Sequence, residues 1–141
     1  MDQPLQTLVD EVVKTLPDVV AIYLFGSRLY PARVDEESDW DIAILPAGGG
    51  LEPMQWWNLR WQLARAIDVE KVDVVDLKIS DYIIRNTVLA EGRLLYCSDD
   101  LARVTWETAS QKLGEEWERI YEENASSYFN AMKSRYATVQ S

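Results

Sequence analysis

Phe25-Gly26-Ser27-Arg28, then ten residues on to Ser38, then Asp39-Trp40-Asp41-Ile42-Ala43-Ile44 is the stretch that decides how this chain folds. A corner of small residues is followed by two carboxylates one residue apart on an apolar strand. Upstream, Val19 to Phe25 (Val-Val-Ala-Ile-Tyr-Leu-Phe) is an unbroken run of strand formers and predicts a strand buried on both faces. It stops at Gly26, where the missing Cβ lets backbone approach a phosphate closely. Ser27 is expected to open a helix as its cap, leaving unpaired N–H groups and a positive helix end for an anion. Arg28 adds a charge-assisted contact to the same phosphates.

The second strand carries the acids. Residues i and i+2 of a strand lie about 7 Å apart on one face, so Asp39 and Asp41 converge on shared cations while Trp40 and Ile42 face the other way. Hard oxygen ligands at this spacing suit Mg²⁺, which takes a few carboxylates together with substrate phosphate oxygens. Two such ions roughly 3.5–4 Å apart stabilise the attacking and leaving oxygens of an in-line displacement, an arrangement that asks for a third carboxylate. Lys71-Val72-Asp73-Val74-Val75-Asp76-Leu77 supplies candidates, because a buried carboxylate without a cation or partner is costly. Asp73 and Asp76 are three residues apart and face opposite sides, so only one of them meets the metals. Together these parts are what nucleotide transfer from a metal-bound triphosphate requires.

Gly26-Ser27, Asp39-x-Asp41 and Val72-Asp73-Val74-Val75 resemble the minimal nucleotidyltransferases of the DNA polymerase β superfamily. From Tyr23 to Tyr96, including Val72 to Leu77 and Ala90-Glu91-Gly92-Arg93-Leu94-Leu95-Tyr96, the chain is similar to the MntA branch, the antitoxins of HEPN/MNT toxin–antitoxin pairs. The resemblance implies a small mixed β-sheet flanked by helices, Mg²⁺ with two ions bound, ATP as substrate, and transfer of AMP to a tyrosine hydroxyl of a partner HEPN ribonuclease that is thereby silenced. It assigns Gly26 and Ser27 to the triphosphate, with Arg28 beside them, and Asp39 and Asp41 to metal. Asp73 becomes the third carboxylate, which also helps deprotonate the incoming hydroxyl, and Asp76 is left to a local cap or pair. Two departures stand out. Eleven residues, Arg28 to Ser38, separate Ser27 from Asp39, one more than the family's usual interval, and Leu29-Tyr30-Pro31-Ala32 stands where many relatives carry a second glycine. A loop insertion of one residue changes closure entropy little, whereas Pro31 stiffens the nucleotide side of the site.

Composition narrows the functional classes. The 141 residues, 48% of them hydrophobic, predict a single α/β nucleotidyltransferase domain over 1–141, with a core of about 1–97 and a C-terminal helical extension of about 98–136. The net charge of −10 argues against direct nucleic-acid binding, which needs a basic surface to displace counterions, and suits a protein partner with a basic face. There is no histidine, which excludes Ser-His-Asp hydrolysis, histidine-ligated zinc, Fic-type AMP transfer and the Arg…His motif of the HEPN toxin itself. The lone Cys97 suits a reducing cytoplasm, and neither a basic-then-apolar leader nor a run of membrane length suggests export or insertion. Two alternatives share these features: a non-catalytic antitoxin that acts by binding, and a small-molecule nucleotidyltransferase, which would be expected to carry an additional acceptor domain.

Around the core, Leu5, Leu8, Val9, Val12, Val13 and Leu16 repeat at helical spacing, and Pro17-Asp18 ends that helix. Pro46-Ala47-Gly48-Gly49-Gly50 is expected to be the mobile loop near the site. Glu52 to Ile67 predicts a helix with two stripes, Trp56, Leu59, Leu63, Ile67 and Met54, Trp57, Trp61, Ala64. The second is either the edge of a wide buried face or a partner surface. Ser80-Asp81 starts a helix, Ser80 as its cap and Asp81 as a first-turn acid, that Gly92 stops before a short strand from Arg93 to Tyr96. From Ser98 to about Lys133 the stripe Trp106, Leu113, Trp117, Ile120, Ala125 and Tyr128 predicts a long helix, weakened at Gly114, that either projects as an arm or folds back on the sheet.

Overall fold

The computed structural model describes residues 1–30 and 39–140, with side chains described except at 126, 128, 129 and 131–140. The expected loop residues Pro31 and Ala32, the position Ser38 and the side chain of Tyr128 lie outside the described residues.

Helix α1 (Gln3–Thr15) is capped by the Asp2 carboxylate, which accepts from Leu5 N–H at 3.0 Å. Strand β1 (Ala21–Phe25) leads through a single 3-10 turn, Gly26–Leu29, toward β2 (Trp40–Leu45). Helix α2 (Pro53–Ala66) opens with a reciprocal capping box between Glu52 and Gln55 and feeds β3 (Val72–Asp76). Helix α3 (Tyr82–Glu91), β4 (Arg93–Cys97) and α4 (Asp100–Gln140) complete the chain. The sheet runs β3-β2-β1-β4, with β2 and β3 parallel and both neighbours of β1 antiparallel to it, a mixed sheet with β3 at one edge.

Strand periodicity sorts the core into two layers. Ile22, Leu24, Trp40, Ile42, Ile44, Val72 and Val74 face α1 and α2, whose Leu5, Leu8, Val9, Val12, Leu59 and Leu63 are buried against them. Ala21, Tyr23, Ala43 and Leu45 face the other way, under Val88 of α3 and Ala102 and Trp106 of α4. The Tyr23 hydroxyl donates to Glu107 of α4, and burial together with that carboxylate holds the phenol well above its ordinary range.

Two expectations need correction, the cap of α3 and the place of the glycine loop. The cap of α3 is Asp81, not Ser80: its carboxylate accepts from Ile84 N–H at 2.9 Å, because an acid can reach the N3 amide only from the residue before the first turn. At Gly114, α4 runs on unbroken. This residue is buried where α4 crosses α3, and a Cβ there would stand 2.2 Å from the Asn86 amide oxygen, so the glycine sets how closely the two helices approach. The Pro46–Gly50 loop leaves the C-terminal end of β2, whereas Asp41 lies at the N-terminal end, so the loop borders the far end of the sheet.

That loop is tied down by Asp76. Its carboxylate, 4% exposed, accepts from Leu51 N–H at 2.6 Å and from Lys78 N–H at 3.0 Å, a local structural role for the second acid of β3. Asp76→Ala strands both donors and is expected to lower the unfolding free energy by about 3 kcal/mol in urea titration.

Of the second stripe of α2, Ala64 is buried in the core and the other three residues lie outside it. Met54, Trp57 and Trp61 are exposed, while Trp56 packs against the buried layer. Helix α4 folds back over its first turns, reaching Trp117, which stacks on Tyr82 at 6.0 Å; beyond it Tyr121 is exposed. Among the described residues no helix is long and apolar enough to cross a membrane.

Candidate active site

Strand register places the acids. Antiparallel pairing sets Phe25, the last residue of β1, opposite Asp41, and parallel pairing sets Asp41 opposite Asp73. Asp41 and Asp73 are therefore lateral neighbours on one face of the sheet, at the end where β1 stops and β2 and β3 begin. Asp39 immediately precedes β2 and is exposed; Asp41 is half-buried. Asp76 lies three residues along β3 on the opposite face, about 10 Å away along the strand.

Gly26 completes the corner. Its φ of +79° is one that L side chains rarely adopt, and a Cβ built there would stand 2.3 Å from Asp41 Oδ2 and 3.1 Å from its Cγ. Glycine is required both by the turn and by the carboxylate packed against it. The helix expected after Ser27 is a single 3-10 turn whose cap position, Phe25, makes no side-chain hydrogen bond. With only four residues it has no appreciable macrodipole, and an anion at this corner would rely on close backbone approach instead.

Electrostatics single out Asp41. Burial, the neighbouring Asp73 and Asp39 charges and a hydrogen bond shared with Asp73 push its carboxyl up to about 6, against a smaller opposing pull from Lys71. Negative charge gathered at a half-buried position calls for a cation, and the donor set is hard oxygen, as Mg²⁺ prefers. Among the described residues no three side chains close into a finished metal cage. Asp39 stays in solvent, and Asp73 is engaged elsewhere: Arg60 Nη2 lies 3.2 Å from its Oδ1 and Lys71 Nζ 3.4 Å from its Oδ2.

Arg28 takes a different direction from the carboxylates. Its guanidinium lies 4.1 Å from the centroid of the Trp40 ring, and Trp40 belongs to the opposite, α1/α2 face of the sheet. Arg60 and Lys71 are the residues that sequence reading passes over. Periodicity locates apolar faces, and nothing in the order of the chain says that one polar residue of α2 will wrap around the sheet edge to Asp73. Trp57, Arg60, Trp61, Lys71 and Val72 line an open cavity of about 350 Å³ on that edge.

Comparison with known proteins follows the same lines. The sequence model of the family Polymerase beta, Nucleotidyltransferase matches residues 8–101. No curated protein sequence matches significantly. Among solved structures, a chain of a toxin–antitoxin with AMP-PNP is 29% identical with a TM-score of 0.67, covering 84% of this chain and 96% of its own. A chain of a complex of tri-AMPylated Shewanella oneidensis HEPN toxin with MNT antitoxin is 28% identical with a TM-score of 0.63, covering 85% and 94%. A chain of the toxin–antitoxin MntA-HepT is 28% identical at a TM-score of 0.63, covering 85% and 95%.

Proposed function

The chain belongs to the polymerase β nucleotidyltransferase family, and from that premise we propose that it is the antitoxin of a HEPN pair, transferring AMP from ATP to a tyrosine hydroxyl of the ribonuclease toxin. The observation that carries the reading is the lateral pairing of Asp41 with Asp73 beside Gly26, three parts from separate stretches of chain meeting at one end of the sheet. The similarity to a chain crystallised with AMP-PNP supports a nucleotide, and the similarity to one from an AMPylated toxin complex supports the acceptor.

Asp39, Asp41 and Asp73 would hold Mg²⁺, which when bound supplies neutralisation of the triphosphate charge. Gly26 and Ser27 let the phosphates approach the backbone at the β1 end of the site. Arg28, stacked on Trp40, stiffens the outgoing turn behind them. The tyrosine oxygen bonds to the α-phosphorus as the bond from phosphorus to the bridging α–β oxygen breaks, pyrophosphate leaves in line, and the hydroxyl proton passes to Asp73. The protein contributes orientation and preorganised charge, the dominant sources of catalysis in such transfers.

Incubation of the protein with ATP, Mg²⁺ and its HEPN partner is expected to add AMP to the partner, seen as a mass increase on a tyrosine-containing peptide. A partner that stays unmodified while still being neutralised would move the reading to an antitoxin that acts by binding alone.

A further inference from the structure

We propose that Arg60 is the positioning residue of the site, holding Asp73 in the orientation from which it meets the acceptor hydroxyl; this rests on the nucleotidyltransferase reading above. Strand β3 is the edge of the sheet, so only β2 restrains Asp73 through backbone pairing. The missing neighbour on its other side is replaced by side chains of α2. Trp56 Nε1–H donates to the carbonyl of Val74, the residue after Asp73, at 2.7 Å. The Arg60 guanidinium lies over the same indole, 4.7 Å from its centroid, and 5.7 Å from that of Trp57. From there it donates to Asp73 Oδ1 at 3.2 Å.

The three contacts form a closed loop: α2 grips the backbone beside Asp73 through an indole, the indole orients the guanidinium, and the guanidinium fixes the carboxylate. A planar cation over an aromatic face is restrained in tilt as well as position, which an ammonium on a flexible stem is not. Lys71, the other cation on Asp73, has a side chain 55% exposed and supplies charge without that restraint. The arrangement orients Asp73 from outside the sheet while leaving the face it shares with Asp41 open to substrate.

The test compares Arg60→Met, Arg60→Lys and Trp56→Phe in the full-length protein, with AMP transfer to the HEPN partner and the ¹³C carboxyl NMR signal of Asp73, identified by its loss in Asp73→Asn. Arg60→Met is expected to lower kcat about 30-fold with KM for ATP within about twofold, and to shift or broaden the Asp73 signal. Lysine should restore part of kcat, and phenylalanine, which keeps the ring but loses the N–H, should fall between Arg60→Met and the wild type. In Asp73→Asn the further loss of Arg60 should cost nothing, since its effect passes through that carboxylate. An unchanged or raised kcat in Arg60→Met, a loss confined to KM, an additive double variant or an unmoved Asp73 signal would each overturn the assignment. Failure of the wild-type protein to transfer AMP would instead overturn the nucleotidyltransferase reading, and the NMR comparison would still judge Arg60. Should Arg60→Met not fold, Arg60→Lys and Trp56→Phe carry the same tests.

Discussion

Asp41→Asn is expected to cut AMP transfer by about 10³-fold and, at the same time, to make the protein more stable in EDTA. The loss of activity follows from the position of Asp41 between Asp39 and Asp73, where it is the charge common to the whole acidic cluster. Removing one preorganised group that stabilises developing charge costs on this order. The gain in stability follows from the same crowding. The Asp41 carboxyl is pushed up to about 6, above its value in an unfolded chain, so its ionised form is disfavoured in the folded protein.

The sign of the linkage is therefore opposite to that of a salt-bridged acid. Stability is fully present below the unfolded value near 4 and is lost as pH rises through about 6, leaving the wild type penalised at pH 7. Half-exposure lets solvent screen much of this, and about 1 kcal/mol is a reasonable figure, or a melting temperature about 3 °C higher in the asparagine variant. Differential scanning fluorimetry in EDTA at pH 7 and pH 5 checks both parts: the variant should melt higher at pH 7, and the advantage should shrink at pH 5. Added Mg²⁺ should stabilise the wild type more than the variant. A variant that melts lower at pH 7 would mean that Asp41 is a structural acid, and the acidic cluster would lose its functional meaning.

Gly26→Ala should be nearly as damaging, for a steric reason. The turn holds φ at +79°, which costs an L residue about 1–2 kcal/mol, and the new methyl would meet Asp41 at both Oδ2 and Cγ. The oxygen can rotate away, but only by leaving the direction it shares with Asp73. Transfer is expected to fall about 10²-fold, as for a displacement of roughly 1 Å at a reacting centre. The protein should remain folded by circular dichroism, with both KM for ATP and kcat affected, since the corner borders phosphates and carboxylate alike. Wild-type kinetics in Gly26→Ala would detach the glycine corner from the site.

The strands, α1, α2 and the pairing of Gly26 with an Asp-x-Asp were legible because each rests on local rules: apolar runs, period-2 alternation and the special backbone freedom of glycine. The two acids of β3 were separable as well, since residues three apart on a strand must face opposite ways. The structure puts them on opposite faces: Asp73 lies beside Asp41, and Asp76 accepts from Leu51 N–H in the loop. What was misread was distance. The glycine loop adjoins the strand of the acids in sequence but lies at its other end, and the packing role of Gly114 was hidden because its neighbour, Asn86, is on a different helix.

The chain by itself determined which residues could bear the chemistry, because a buried carboxylate, a glycine at a strand end and an alternating strand carry their constraints in the identity of near neighbours. Tertiary structure alone decided that Asp41 and Asp73 stand side by side, that Arg28 turns to Trp40 while Arg60 reaches Asp73, and that Trp57 and Trp61 remain in solvent. These depend on strand order and on which helix wraps the open edge of β3. Such choices arise from the packing of the whole core, where many weak contacts between residues far apart along the chain select one arrangement that no local pattern encodes.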